Sequence, residues 1–328
     1  MSVERPPPDL PPNLRVVDRA PPLTLLLAEV LDGLGETVKQ LPPKLFYDAR
    51  GSDLFRAICG TDAYYLTRTE QAILRDRSQQ IARALGRGCT VLEPGAGDMR
   101  KIRLLLPALG ARRYVAFDIA REQLLEAAAG LAAEFPSLDV VAVHGDFTFS
   151  ALGNVLSAAG ERRVLFFPGS TLGNFDPEQA RGFLSRGRMA VGAGGKALIG
   201  VDLVKHAFLL DRAYNDPEGY TARFNLNLLA RLNRELETDF DLDGFAHSAF
   251  FNWQASRIEM HLVSLRRQTV TIVGRRFEFD AGETIHTENC YKYTPESFGD
   301  LAARAGWAVA RQWSDPSNWF GVFLLEAR

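Results

Sequence analysis

The chain has 328 residues, 46% of them hydrophobic and 24% charged, with a formal net charge of -2. That composition is ordinary for a globular protein of one large or two medium domains, and it gives no electrostatic reason to expect a nucleic-acid or acidic-membrane partner. Cys59, Cys89 and Cys290 are odd in number and form no C-x-x-C pair, which points to reduced thiols in a cytoplasmic protein. No uninterrupted apolar run of about 18 residues occurs, so neither a signal peptide nor a membrane span is expected.

Residues 1–22 carry Pro6, Pro7, Pro8, Pro11, Pro12, Pro21 and Pro22 and are expected to form an extended, poorly ordered arm. Leu26, Val30, Leu34 and Val38 repeat at spacing four and predict a helix over 25–40. Asp53 or Ser52 is the expected cap of a short helix over Leu54–Cys59. A longer helix begins within Tyr64–Glu70, with Thr67 or Thr69 as its cap, and runs to about Leu85.

Strands are then expected at Thr90–Glu93, Arg113–Asp118, Asp139–His144, Arg163–Phe167 and Lys196–Val201, with helices between them, the clearest being Arg121–Phe135. Such alternation predicts an α/β fold, a mainly parallel sheet with helices on both faces. Right-handed crossovers put every carboxyl end on one edge, where ligands bind. On that edge fall Gly95–Gly97, Asp118, Asp146 with Phe147, and the loop Pro168–Asn174. After Asp202 the alternation stops. Helices are expected at Phe208–Tyr214 and Thr221–Glu235, then loosely alternating antiparallel strands within Phe250–Leu265, Thr269–Ile272, Arg276–Phe279 and Ile285–Tyr293. A helix over Pro295–Ala305 and a closing antiparallel pair, Trp307–Trp313 and Trp319–Leu325, complete the chain.

The stretch Thr90–Lys101 carries the chemistry of a nucleotide-type cofactor turn. Glycine accepts positive φ cheaply and lets a ligand approach the backbone, and the next helix presents its amide groups. A dinucleotide fingerprint needs a third glycine, but Arg100 stands in its place. Asp118 keeps the distance of a ribose-binding acid. A cofactor with a ribose and no pyrophosphate fits better, namely S-adenosylmethionine, its amino-acid arm by the turn, its ribose by Asp118 and its adenine by Asp146 and Phe147. A dinucleotide remains the weaker alternative. His144, His206, His247, His261 and His286 show no metal-ligand spacing, so no metal is expected. Pro168 excludes a nucleophile elbow at Ser170. Glu283, His286 and Glu288 fall along one expected strand, and their spacing fits a solvated face as well as a site.

Several longer motifs point to a family. Leu41–Asp48 (LPPKLFYD), Tyr64–Glu70 (YYLTRTE), Leu92–Gly97 (LEPGAG), Phe166–Asn174 (FFPGSTLGN) and Ile285–Tyr293 (IHTENCYKY) together resemble the histidine-specific Nα-methyltransferases of ergothioneine biosynthesis, from about Leu41 to the C-terminus. The resemblance implies a class I, Rossmann-like methyltransferase domain over 67–202 and 295–328, beside an α+β substrate domain over 23–66 and 203–294. By motif, Gly95, Gly97, Lys101, Asp118, Asp146 and Phe147 are implied cofactor contacts. Tyr47 would stand beside the reacting amine, Tyr64 and Glu288 would read the imidazole, Asn174 and Tyr214 would hold the substrate carboxylate, and Met260 would line the pocket. The family commonly has serine where Cys290 stands, a weaker hydrogen-bond partner, which leaves the amino-acid preference open.

The implied reaction is methylation of the α-amine of free L-histidine, up to trimethylation, giving hercynine for ergothioneine biosynthesis. The same chemistry on another amino acid or small amine, or a non-catalytic cofactor-binding protein of this fold, are the alternatives. A cytoplasmic monomer without nucleic-acid or membrane partners is expected.

Overall fold

A computed structural model describes residues 10–148 and 162–328 of the chain. In chain order the elements are β1 (Leu14–Arg19), α1 (Leu23–Gly35), α2 (Ala49–Gly60), α3 (Tyr65–Leu85), β2 (Thr90–Pro94), α4 (Arg100–Arg103), α5 (Leu106–Leu109), β3 (Arg113–Asp118), α6 (Arg121–Glu134) and β4 (Asp139–Gly145). There follow β5 (Arg163–Phe167), α7 (Pro177–Val191), β6 (Lys196–Asp202), α8 (Ala207–Tyr214), α9 (Tyr220–Glu235), β7 (Phe245–Asn252), β8 (Arg257–Ser264), β9 (Gln268–Ile272), β10 (Arg275–Phe279), β11 (Thr284–Tyr291), α10 (Pro295–Arg304), β12 (Trp307–Ser314) and β13 (Phe320–Ala327). The described residues form two units. One lies within Met1–Ala20, Leu66–Val204 and Lys292–Arg328, the other within Pro21–Tyr65 and Lys205–Tyr291.

The first unit is built on an eight-stranded sheet of order β1-β4-β3-β2-β5-β6-β13-β12. Strands β1 to β6 pair in parallel, β13 runs antiparallel to β6, and β12 antiparallel to β13. The central strands read as continuous apolar runs because both faces are covered. Tyr114–Phe117, Val140–Val143 and Val164–Phe167 are buried at every position. Helix α6 packs on β1, β3 and β4, α7 on β5 and β6, and α10 on β12 and α7.

The arm differs from expectation. Residues 1–9 lie outside the described residues, but Leu14–Arg19 forms an edge strand in register with Val140–Gly145. The prolines stop at Pro12 and resume at Pro21, leaving eight residues with backbone donors, among them apolar Leu14, Val16 and Val17. Asn13 fixes the entry, its amide donating to the carbonyls of Ala132, Phe135 and Leu138 at 2.8–3.1 Å.

In the second unit, β11, β8 and β7 form an antiparallel sheet and β9 and β10 a hairpin, while α2 packs on α9, and α8 and α9 pack on β7 and β8. Helix α2 starts earlier than the sequence suggested, and its cap is Asp48 rather than Ser52 or Asp53. The Asp48 carboxylate accepts from the Gly51 amide at 2.6 Å, Asn227 Nδ2 at 2.8 Å and Arg234 Nη2 at 2.6 Å. Gly51 is required there, since an added Cβ would lie 1.7 Å from the Phe46 carbonyl oxygen. Thr67 and Thr69 lie inside α3, and the turn before that helix is held by Thr61 Oγ1, which accepts from the Tyr64 amide at 3.2 Å. The stretch 250–265 resolves into two strands joined by a turn at 253–256.

A fully buried ion pair sits in the first unit. Lys292 Nζ lies 3.0 Å from Asp202 Oδ2, and both side chains are fully buried. Burying two charges is tolerable only while they remain paired. Asp202→Ala should therefore lower stability by roughly 3–5 kcal/mol, measured by chemical denaturation. A loss below about 1 kcal/mol would show that solvent reaches Lys292.

Candidate active site

The parallel strands bring the expected cofactor residues of the first unit to one edge. Gly95 and Gly97 follow β2 with φ of +67° and +53°. The Gly97 amide donates to Asp118 Oδ2 at 2.8 Å, and the Ala120 amide to Asp118 Oδ1 at 2.9 Å. Asp118, the last residue of β3, thus locks the glycine turn and the start of the next crossover together. Burial raises its carboxyl above the usual range, while those amide donors pull it back down. At Gly95 the positive φ is what favours glycine, since a Cβ there would make only ordinary van der Waals contact with the Phe147 ring, at 3.5 Å. Phe147 packs edge-on to Phe167, Phe175 and Phe183, with centroids 5.9–6.4 Å away. Beside it, Asp146 is buried after β4, and its Oδ1 accepts from the Thr148 amide at 2.8 Å.

Two acids at this edge were not singled out from the sequence. Glu70, on α3, is almost completely buried and lies 2.6 Å from Lys101 Nζ. It also accepts from the Gly169 amide at 2.9 and 3.0 Å. Its carboxylate fits only because Gly200 has no side chain, since a Cβ there would lie 1.9 Å from Glu70 Oε1. Glu70 therefore ties Lys101 to the loop after β5. That loop is tied again where Ser170 Oγ accepts from the Asp202 amide at 2.9 Å, and a 3₁₀ turn over Thr171–Asn174 then carries Asn174. Glu93 ends the apolar run of β2 and accepts from the Tyr114 hydroxyl at 2.6 Å. Its place before the glycine turn and Glu70's place at the end of the Tyr64–Glu70 motif were the available signals.

The second unit holds Tyr47, Tyr64, Tyr214, Met260, Glu288 and Cys290 of the expected substrate residues, while Asn174 belongs to the first unit. Tyr64 is buried, and burial holds its phenol well above the usual range, with Cys59, Cys290, Glu288 and Tyr47 adding to the rise in that order. The Tyr64 ring stands edge-on to Tyr214 at 6.1 Å and to Phe55 at 6.2 Å, and Tyr47 stands edge-on to Phe55 and Phe224 at 5.9 Å. Met260 and Glu288 are direct cross-strand partners on β8 and β11, and Cys290 faces Ile258. Partners in register share a face of the sheet, so Met260, Glu288, Cys290 and Ile258 line the same side. The backbone oxygen of Tyr214 accepts from His247 Nε2 at 3.0 Å.

The opposite face of that sheet holds what regular alternation would have grouped with Glu288. His286 pairs with His261, their rings stacked at 4.8 Å, and Phe250 stacks on His261 at 5.5 Å. Burial lowers both imidazoles below their ordinary value, His261 adding to the effect at His286. Donor atoms of Glu259, His261 and His286 lie within 4.8 Å of one another, a grouping invisible in the sequence spacing. Arg257 at 2.7 Å and Asn252 at 2.9 Å already occupy Glu259 Oε1. The layer is charge-balanced and stacked.

Comparison with known proteins places the chain. The mostly parallel central sheet with helices packed against it is the expected α/β fold. The family model described as "Histidine-specific methyltransferase, SAM-dependent" matches residues 26–327, and the chain belongs to that family. It is 42% identical over 305 residues to the histidine N-alpha-methyltransferase of Mycobacterium tuberculosis, covering 91% of this chain and 94% of that one. It is 43% identical over 305 residues, with the same coverage, to the protein of that name from Mycolicibacterium smegmatis. Ergothioneine biosynthesis protein 1 of Neurospora crassa is 31% identical over 309 residues, covering 88% of this chain and 33% of that much longer protein. The chain is an S-adenosylmethionine-dependent N-methyltransferase. Among the described residues no helix is long and apolar enough to cross a membrane.

Burial pushes the Glu93 carboxyl from an ordinary 4.5 up to about 8. Between those values the folded protein holds a proton that the unfolded chain has lost, so stability falls as pH rises through that window. Glu93→Gln keeps an acceptor for Tyr114 without a charge to bury. Its melting temperature should match wild type near pH 4 and exceed it by roughly 5 °C at pH 9, read by scanning calorimetry without ligand. Parallel pH profiles for the two proteins would contradict a buried, neutral Glu93.

Proposed function

We propose that the chain methylates the α-amine of free L-histidine up to three times, giving hercynine for ergothioneine biosynthesis. The observation that carries this reading is the clustering of Tyr64, Glu288, Cys290 and Tyr47, with Met260 beside Glu288, in the second unit. A neutral phenol and a carboxylate can between them hold both nitrogens of an imidazole, one by accepting and one by donating or accepting. The names of the relatives support the same substrate.

The residues of the first unit fit the cofactor chemically. Asp118 is a carboxylate for a ribose diol, Asp146 an acceptor for an exocyclic amine, and Phe147 an aromatic wall. Lys101 is a cation for a carboxylate, and the Gly95–Gly97 turn leaves room for the amino-acid arm. S-adenosylmethionine, when bound, supplies an electrophilic methyl group whose departing partner is a neutral thioether. General acid assistance to departure is therefore unnecessary. The chain's own task is alignment, which can supply several kcal/mol.

On this reading the Tyr214 phenol holds the substrate carboxylate, which excludes histidine inside a peptide. While the α-amine still carries an N–H, in the first two transfers, Tyr47 accepts a hydrogen bond from it and keeps its lone pair directed, since an ammonium has none to offer. In the first two transfers the proton displaced from nitrogen would leave to solvent, and the third, at a tertiary amine without an N–H, would displace none. Phenol faces and oxygens near the nitrogen tolerate the cation that grows with each methyl group.

Incubation with S-adenosylmethionine and each free amino acid, followed by mass spectrometry, tests the assignment. Mono-, di- and trimethylated histidine should appear. Transfer to another amino acid but not to histidine would contradict the substrate and favour the second reading, to which the thiol of Cys290 in a serine position points. Glu288→Ala should raise the KM for histidine at least tenfold and leave cofactor affinity within twofold. Equal loss of both would remove Glu288 from the acceptor site.

A further inference from the structure

Strand β11 does not pair regularly with β8. Residues 284–286 run in register with 263–261, and Glu288, not Thr287, is the partner of Met260. Thr287 is the extra residue of a β-bulge. Side chains alternate between the two faces of a strand, so an added residue moves everything beyond it to the other face. In a regular strand His286 and Glu288, two apart, would share a face. Glu288 would then lie with His261 and Glu259, in the stacked layer. The bulge puts Glu288 and Cys290 opposite Met260 and Ile258 instead, the side from which Tyr64 feels them.

The bulge is held in place. Thr287 is buried, and its hydroxyl lies 2.8 Å from Asn225 Oδ1 and 3.1 Å from the Met260 carbonyl oxygen. Asn225, on α9, is completely buried, and its Nδ2 donates to the His261 carbonyl oxygen at 2.9 Å and lies 2.9 Å from His247 Nδ1. One amide group therefore touches β7, β8 and β11. A buried polar pair of this kind is costly to leave half made, so the hydroxyl and the amide favour one register over its neighbours.

We propose that Thr287, clamped by Asn225, is a specificity-determining positioning residue: it sets the register that aims Glu288 and Cys290 into the amino-acid pocket. This rests on the reading of Glu288 as an imidazole contact. Thr287→Val removes the hydroxyl at nearly constant volume, while Thr287→Ser retains it.

Two readouts test the proposal, one without any substrate. Titrated into protein saturated with S-adenosylhomocysteine, histidine should bind Thr287→Val at least tenfold more weakly than wild type. Binding to Thr287→Ser should stay within threefold of wild type. The Kd for S-adenosylhomocysteine, measured alone, should stay within twofold in both. Independently, alkylation of Cys290 by iodoacetamide, followed by peptide mass spectrometry, should accelerate at least fivefold in Thr287→Val and not in Thr287→Ser. Wild-type histidine affinity or wild-type Cys290 labelling in the valine variant would overturn the proposal. So would equal losses in the two variants, or a parallel loss of cofactor binding. Failure of the wild-type protein to bind histidine would instead overturn the substrate reading, and the labelling would still report on the bulge.

Discussion

Carboxylates buried at the carboxyl edge of the parallel sheet impose the constraint on which the first unit depends. Glu70, Glu93, Asp118, Asp146 and Asp202 are all buried, and an unpaired charge in such a place would be too costly to keep. Each meets the requirement differently. Asp118 takes two backbone amides, Glu70 a lysine and an amide, Asp146 the Thr148 amide, Asp202 a lysine, and Glu93 a tyrosine hydroxyl together with a raised pKa. Because the Gly97 amide of the glycine turn and the Gly169 amide of the loop after β5 are among the partners, satisfying Asp118 and Glu70 also fixes those loops. The edge is organised by charge compensation before any ligand is considered.

The second unit solves a different problem. Its sheet shows two different sides, one lined by Met260, Glu288 and Cys290 and one by the stacked histidines, from strands whose sequences mix His, Glu and Asn on both. Simple alternation along β11 would mix them. The single extra residue at Thr287 separates Glu288 and Cys290 from the stacked His261–His286 layer, and Asn225 holds that choice. The reverse layer then accounts for Glu259 and Arg257 as a balanced pair.

Much of this was legible in the sequence. The five parallel strands were, because buried on both faces they read as largely apolar runs, most of them ending in an acid or a glycine. The glycine turn and Asp118 were, because positive φ and a ribose-length spacing leave marks in the residue types. The cap of α2 was misread because Asp48, Ser52 and Asp53 are equally good caps in isolation. Only the close approach of Gly51 to Phe46 selects Asp48. β1 was missed because flanking prolines dominate its composition, while its partner β4 is more than a hundred residues away. Glu70 was hidden for the same reason, since its partners Lys101 and Gly169 are distant in sequence. The bulge left no local mark at all. Thr287 looks like any strand threonine, and only the register against β8 shows that it is extra.

The central claim is that Glu288, turned away from the histidine layer by the bulge, meets the amino-acid substrate. A crystal structure of the protein with S-adenosylhomocysteine and L-histidine tests it most directly. The account predicts the imidazole within hydrogen-bond distance of the Glu288 carboxylate and Tyr64 hydroxyl, on the Met260 side of the sheet. An imidazole bound away from Glu288, or Glu288 found on the side of His261 and His286, would contradict it.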